Sequence, residues 1–192
     1  MTRTALLTGS KDRLSVVAPA MHRAGFEVIE VDNLDDLDQR CKDLGPDSLD
    51  AYVQLPIEVP SSEGPLVERV RSFLASGLLR RFEAASAVLP CLKPGSVVVF
   101  AAGQRPGFEG APDDRHARLE LLRVLARAVL AELRDRDVRT VILGDRRTPD
   151  AIADATRRRT AMSSDTVGFA GEEPELTYDD WARELLALTD GD

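Results

Sequence analysis

Residues 96–102 (SVVVFAA) are the stretch that most restricts what this chain can fold into. Three consecutive valines and a phenylalanine follow a single serine, with no alternation of polar and apolar positions. Branched and aromatic side chains suit a pleated strand, and an unbroken apolar run suits a strand covered on both faces. Such strands belong to parallel sheets, whose crossover connections lay helices on either side. The rest of the chain should then alternate strands with helices.

The pattern supports this in order. Residues 4–8 (TALLT), ending at Gly9, and 26–31 (FEVIEV) read as two strands around a helical stretch. Pro19 falls inside that stretch, where it removes an amide donor and crowds the preceding turn, so the helix either starts near Pro19 or kinks there. Gly25 closes it as a C′ residue. Residues 34–44 form a short helix with Leu34, Leu37, Cys41 and Leu44 on one face, stopped by Gly45-Pro46. A strand follows at 51–55, then a loop rich in Pro, Ser and Gly, then one long helix or two consecutive ones over 66–89. The turn Pro94-Gly95 leads into the apolar strand.

The longest helical pattern spans 113–134. Leu121, Leu122, Leu125, Val129 and Leu133 recur at spacings of three and four, while His116, Glu120, Arg123, Arg127 and Arg134 gather into a narrow polar stripe. A helix apolar on more than one side packs against two partners, here a sheet on one face and another helix or subunit on the other. Residues 138–143 form the next strand. Thr148-Pro149 is an N-cap with proline at N1, so 149 to about 159 is helical. Near the end, Thr177 and Asp180 have capping-box-like spacing, Leu176 can staple onto Trp181, and Trp181, Leu185 and Leu188 share a face. Residues 172–192 therefore read as a C-terminal helical extension of one domain over 1–192. The fold class expected is α/β: a Rossmann-like, doubly wound parallel sheet with helices on both faces.

Charge and cysteine content narrow the function. A net charge of −8 argues against a general nucleic-acid binder, whose phosphate-tracking surface would be basic. Cys41 and Cys91 are too few for a disulfide framework and have no metal-ligand spacing, so no metal site is expected. They read as plain thiols rather than nucleophiles, since no basic partner is visible beside them. No charged start followed by an apolar h-region is seen, and no run approaches membrane-spanning length, so a reducing cytoplasm is the expected compartment. Nearly all positive charge is arginine, which fits a GC-rich bacterial genome.

Taken together, these segments resemble the short-chain dehydrogenase/reductase family along nearly the whole chain. Thr8-Gly9 after the first strand resembles the opening of its cofactor motif, and Asp32 ends the second strand where the family often places an acid for the adenosine ribose. LDAYVQLP at 49–56 resembles the strand that normally ends in Asn-Asn-Ala-Gly, and AVLPCLKPGSVVVFAA at 87–102 the segment before the catalytic serine. LAELRDRDVRTVILG at 130–144 is similar to the end of the catalytic helix and its next strand. TPDAIADA at 148–155, followed by SSD at 163–165, is similar to the family's late helix and the loop after it. One helix alone fits between Asp32 and Asp50, so the resemblance implies a fold shortened by about one βα unit near the adenine pocket.

The residues that carry the family's chemistry are not matched. The motif is Thr-Gly-x-x-x-Gly-x-Gly, and its later glycines fall on Arg13 and Ser15, or on Asp12 and Leu14. Side chains there obstruct a pyrophosphate that must approach backbone amides at a helix start. The Tyr-x-x-x-Lys pair falls on Arg115 and Leu119 or on His116 and Glu120, the serine on Ala102, and the helix asparagine near Gly77. Gly9, Arg13 and Asp32 are at most the remnant of a cofactor site, and no NAD(P) or other cofactor is expected.

The expectation is a catalytically inactive protein of this type, a structural or regulatory subunit that forms a homodimer or a hetero-oligomer with an active reductase paralogue. In the family, the catalytic helix and the one before it commonly build dimer interfaces. No membrane or nucleic-acid partner is expected. The alternative is a non-redox or atypical enzyme working by proton transfer, cyclisation or divergent redox chemistry, with His116 and Glu120 as an acid–base pair helped by Asp113 or Asp114. Against that pair stands a plainer reading, a solvated polar stripe continued by Arg123 and Arg127. Arg115 reads as an exposed first-turn arginine, and Arg146, Arg147 and 157–159 as a solvated helix end with cations favourably near its C-terminus. Asp32 is evenly balanced between a ribose contact and the turn Asp32-Asn33.

Overall fold

The computed structural model describes residues 2–56, 79–102, 112–143, 148–157 and 168–170, with Pro65, Glu68 and Gly77; for 112–121, Arg134 and 168–170 it describes the backbone alone. Six parallel strands form one sheet: β1 (Arg3–Thr8), β2 (Phe26–Val31), β3 (Leu49–Gln54), β4 (Leu92–Ala101), β5 (Arg139–Leu143) and β6 (Gly168–Ala170). Their order is β2-β1-β3-β4-β5-β6. The apolar run at 96–102 lies at the middle of this sheet, with Val97, Val98, Val99 and Phe100 all buried. β6 was not foreseen from sequence, because Gly-Phe-Ala is too short to carry a strand pattern.

Helices cover both faces. On one side lie α1 (Lys11–Arg23) and, near the chain's far end, α5 (Pro149–Arg157); on the other lie α2 (Leu37–Leu44), α3 (Arg80–Val88) and α4 (Pro112–Glu132). The strands separate the two cores by alternation. Leu6, Tyr52, Val98, Phe100 and Ile142 point to the α2–α3–α4 side, while Ala5, Leu7, Val53, Val99 and Leu143 point to the α1–α5 side. Each face then buries its own apolar layer, the main favourable term in folding.

Several local expectations need correction. α1 does not begin near Pro19: it starts at Lys11 and runs on through Pro19, which sits exposed. Burial of Leu14, Val17, Ala18 and Met21 holds the helix together across the missing backbone hydrogen bond. Pro94-Gly95 is not a turn before β4 but an interruption within it, with the pairing to β3 jumping from Leu49–Leu92 to Ala51–Val97. The stretch 34–44 starts as a 3-10 turn, because the Asn33 side chain accepts from the Asp35 amide at 3.1 Å. Other signals stand as read. Gly25 takes a left-handed φ of +88° and donates to His22 O at 2.9 Å, and Thr148 Oγ1 caps the Ala151 amide at 3.2 Å.

The polar stripe on α4 is corrected at the two of its residues whose side chains are described. Arg123 is buried and Arg127 half-buried, while Val124, Ala128 and Ala131 face outward, Val124 at 51% exposure. Leu122, Leu125, Ala126, Val129 and Leu133 occupy the sheet side. The packing of two leucines and a valine on β4 and β5 sets the helix rotation, and this turns a small apolar strip toward solvent. No described helix is long and apolar enough to cross a membrane, and no cluster of three or more metal-ligating side chains occurs among the described residues. The C-terminal helix expected from Thr177, Trp181, Leu185 and Leu188 lies outside the described residues.

Candidate functional site

In open parallel sheets, ligands bind outside the carboxyl ends of the strands where the strand order reverses. Here that point lies between β1, which connects to β2 on one side, and β3 on the other. The residues meeting there are Thr8, Gly9 and Ser10 from the end of β1 and Gln54, Leu55 and Pro56 from the end of β3.

The crevice between them is closed by the chain itself. A Cβ placed on Gly9 would lie 2.7 Å from the Leu55 Cβ, so the space that a glycine leaves open is filled by leucine. The Ser10 amide, first in line at the start of α1, donates to Pro56 O at 3.3 Å, and the Leu55 amide donates to Thr8 O at 2.8 Å. Of the positions where later glycines belong, Asp12 and Arg13 stand exposed and Leu14 is buried in the core. A dinucleotide pyrophosphate needs bare amides at a glycine-lined helix start. These residues do not fit one. Asp32 lies exposed beyond β2, and it is Asn33 that makes the side-chain bonds of the turn, to the Asp35 amide and the Asp36 carboxylate.

Beside the closed crevice, on the α3 side of the sheet, runs a polar chain that the sequence reading missed, buried at Thr8, Tyr52 and Gln54 and half-buried at Arg81. Thr8 Oγ1 lies 3.0 Å from Tyr52 Oη, and Gln54 Nε2 donates to the same Oη at 3.0 Å. Gln54 Nε2 also donates to Arg81 O at 2.9 Å. Arg81 answers from the start of α3: its Nε donates to Gln54 Oε1 at 2.7 Å and its Nη2 to Ala101 O at 3.0 Å. Because Gln54 donates to Tyr52 Oη, the tyrosine proton is directed to Thr8. Burial pushes the Tyr52 hydroxyl up to about 12, with the bonds from Thr8 and Gln54 opposing, so it stays neutral. Burial likewise pulls Arg81 down to about 10; Tyr52 opposes this, and the charge of Arg13 adds to it. The group remains a cation at neutral pH. Thr8, Tyr52 and Gln54 stand out in retrospect as polar positions toward the carboxyl ends of two strands whose neighbouring positions are apolar, a signal that could have marked them.

The other sequence candidates scatter. Ala102, at the serine position, is buried and donates its amide to Leu143 O at 2.8 Å. Gly77, at the asparagine position, is buried. Asp113, Asp114, Arg115, His116, Leu119 and Glu120 lie on α4 in the part where the backbone alone is described, so the acid–base pair lies outside the described side chains. Arg157 pairs with Asp154 at 3.0 Å on an exposed helix end, as a solvated arginine should; Arg146, Arg147, Arg158 and Arg159 lie outside the described residues. Cys41 and Cys91 are both buried, and burial pushes the Cys41 thiol up to about 12, which fits an inert thiol.

No protein-family model matches the chain, and no curated protein is similar to it in sequence. Solved structures do resemble it. The protein lin1944 from Listeria innocua aligns over 88% of this chain and 100% of its own, with 15% identity and a TM-score of 0.59. The enoyl-[acyl-carrier-protein] reductase (NADH) of Aquifex aeolicus aligns over 80% and 87%, with 13% identity and a TM-score of 0.60. A double mutant of a Serratia marcescens short-chain dehydrogenase/reductase aligns over 81% and 87%, with 15% identity and a TM-score of 0.54. The nucleotide-binding version of this architecture orders its strands 3-2-1-4-5-6; the order found here lacks the strand outside β2 and has one further strand, β6, at the opposite edge. The chain has the short-chain dehydrogenase/reductase fold, shortened by one βα unit at the edge of its sheet.

Proposed function

We propose that this chain is a non-catalytic protein of reductase fold, a structural or regulatory subunit that acts in the cytoplasm as a homodimer or in a hetero-oligomer with an active short-chain reductase. The observation that carries this reading is the filled crevice: Leu55 occupies the space over Gly9, and Pro56 takes the Ser10 amide. With no room for a pyrophosphate and no Tyr-x-x-x-Lys pair, hydride chemistry loses both its cofactor and its proton donor. What the fold keeps is surface. The outward strip Val124, Ala128 and Ala131 on α4 supports an interface there, since small side chains let a second helix approach closely and an exposed valine gains from being covered.

The test combines binding with assembly. Calorimetric titration of the full chain with NADH and NADPH should show no saturable binding, and sedimentation should show a dimer, or a complex once an active reductase is co-expressed. Val124→Glu should give a folded monomer, because a charge at the centre of an apolar contact opposes association. Saturable dinucleotide binding with turnover of a carbonyl substrate would refute the proposal. So would a chain that stays monomeric both alone and beside every co-expressed reductase.

A further inference from the structure

Cys41 and Cys91, the chain's only cysteines, lie 50 positions apart and meet in the fold. The Cys91 thiol donates to the Cys41 carbonyl oxygen at 3.4 Å, and the same oxygen accepts the Gly45 amide at 3.0 Å as α2 ends. The chain leaving α2 runs against the turn that carries Cys91: the Ser48 amide donates to Cys91 O at 2.8 Å and the Asp47 amide to Pro90 O at 3.4 Å. Both sulfurs are free thiols buried in the core on the α2–α3–α4 side. Burial raises both; the hydrogen bond that Cys41 gives Cys91 opposes the rise at Cys91 and adds to it at Cys41. Cys91 is therefore the readier thiolate of the two.

The element that covers this pair is weakly held. α2 has eight residues, fully buries only Leu37 and Cys41, and has no side-chain cap at its start. A short helix anchored by two side chains opens at less cost than the sheet beneath it. While α2 is docked, the thiols are shielded and protonated. When it lifts, Cys41 leaves Cys91, both meet water, and their pKa values return toward that of an ordinary thiol.

We propose that Cys41 and Cys91 form a redox latch: when α2 opens before a small-molecule disulfide, the two close into a disulfide that ties α2 to the turn before β4. The Cys91 thiolate attacks one sulfur of the small disulfide, making a mixed disulfide and releasing one small thiolate. The Cys41 thiolate then attacks the Cys91 sulfur, making the internal bond and releasing the second. Two protein thiols are oxidised, one small disulfide is reduced to two thiols, and these take up the two protons. Excess small thiol reverses both steps. The latch does not rest on the subunit reading.

The experiment incubates the full chain with oxidised glutathione at mildly alkaline pH and follows intact mass. The expected product has lost two hydrogens, carries no glutathione and is restored by dithiothreitol. Cys41→Ser should stop at a glutathione adduct on Cys91. Leu37→Ala, which removes the other anchor of α2, should speed closure about tenfold, whereas Leu14→Ala, the same loss in the opposite core, should leave the rate unchanged. In the closed form, amide hydrogen exchange across α2 should slow about tenfold or more. If Leu37→Ala does not fold, the parent chain's mass and the α2 exchange decide. The proposal is overturned by thiols that stay reduced in the folded chain, by lasting glutathione adducts on both cysteines, or by unchanged exchange in α2. Leu14→Ala speeding closure as much as Leu37→Ala would also overturn it, since oxidation would then follow unfolding of the whole protein.

Discussion

At Gly9 the absent side chain is the space into which Leu55 packs, so one position both closes the crevice and fixes the distance between β1 and β3. Gly9→Ala should therefore destabilise the fold by ~1–3 kcal/mol, the usual cost of overpacking a close contact. Urea unfolding measures this, and an unchanged midpoint would mean that Leu55 moves aside freely. Asp50 offers a pH-dependent counterpart at the opposite end of the strands. Burial alone would raise its carboxyl, but bonds from Lys93 Nζ at 2.7 Å and the Thr4 amide at 2.9 Å, with the charges of Lys93 and Arg3, hold it below the ordinary aspartate value. A lowered folded-state pKa means that the native form releases its proton more readily than the unfolded chain. The stabilisation is thus complete above the unfolded value of about 3.9 and disappears as pH falls through the folded one. Asp50→Asn should lower the urea midpoint at pH 7 yet match the parent once Asp50 is protonated in both states; parallel curves at all pH values would rule this role out. Little of this detail is legible in sequence. Tyr52 and Gln54 can be noticed as polar residues in apolar strands, but Arg81 is 27 positions from Gln54, and only the folded sheet brings them together.

Among the elements, α1 carries a cost that should be measurable. Pro19 lies in its interior, exposed, with no amide to offer the Ser15 carbonyl. Interior proline costs ~3 kcal/mol or more in a helix, and its restriction of the unfolded chain returns ~0.4–1 kcal/mol. Pro19→Ala should then stabilise the protein by roughly 2 kcal/mol, read from urea unfolding, and a loss of stability would show that the helix depends on the proline's geometry. The sequence pattern located the helix but left open whether it starts at Pro19 or passes through it. Propensity rules weigh the proline locally, whereas burial of Leu14, Val17 and Met21 against the sheet decides the outcome. The same limit explains α4. Its leucine spacing located the element, yet Arg123 and Arg127 are drawn inward while Val124, Ala128 and Ala131 face solvent. Helix rotation is set by contacts with β5, and long arginine side chains tolerate burial of their stems while a periodicity count treats them as outward. Strand positions fared better, because the apolar run at 96–102 has few places to go other than the interior of a parallel sheet, and Val141, Ile142 and Leu143 carry the next strand into the same sheet.

At the scale of the whole molecule, the sheet ends on β2, whose Glu27 and Glu30 are exposed along an edge that the longer version of the fold covers with another strand. Charged residues on such an edge discourage further strand pairing, which leaves the helical faces as the better surfaces for assembly. If α4 is the contact, folding and association are linked, and thermal stability must depend on concentration. For a dimer of chains this size, raising protein concentration a hundredfold should raise Tm by about 4 °C, from the enthalpy expected per residue. Val124→Glu should abolish that dependence and bring Tm at high concentration down toward the dilute value. A partner-dependent subunit behaves differently: its Tm alone is flat with concentration and rises only when the reductase is added. Calorimetric scans of the chain alone, of the Val124 variant and of the mixture therefore separate a homodimer from a hetero-oligomer. A Tm indifferent to both concentration and reductase would leave the outward strip on α4 without an occupant, and the subunit reading would fail with it.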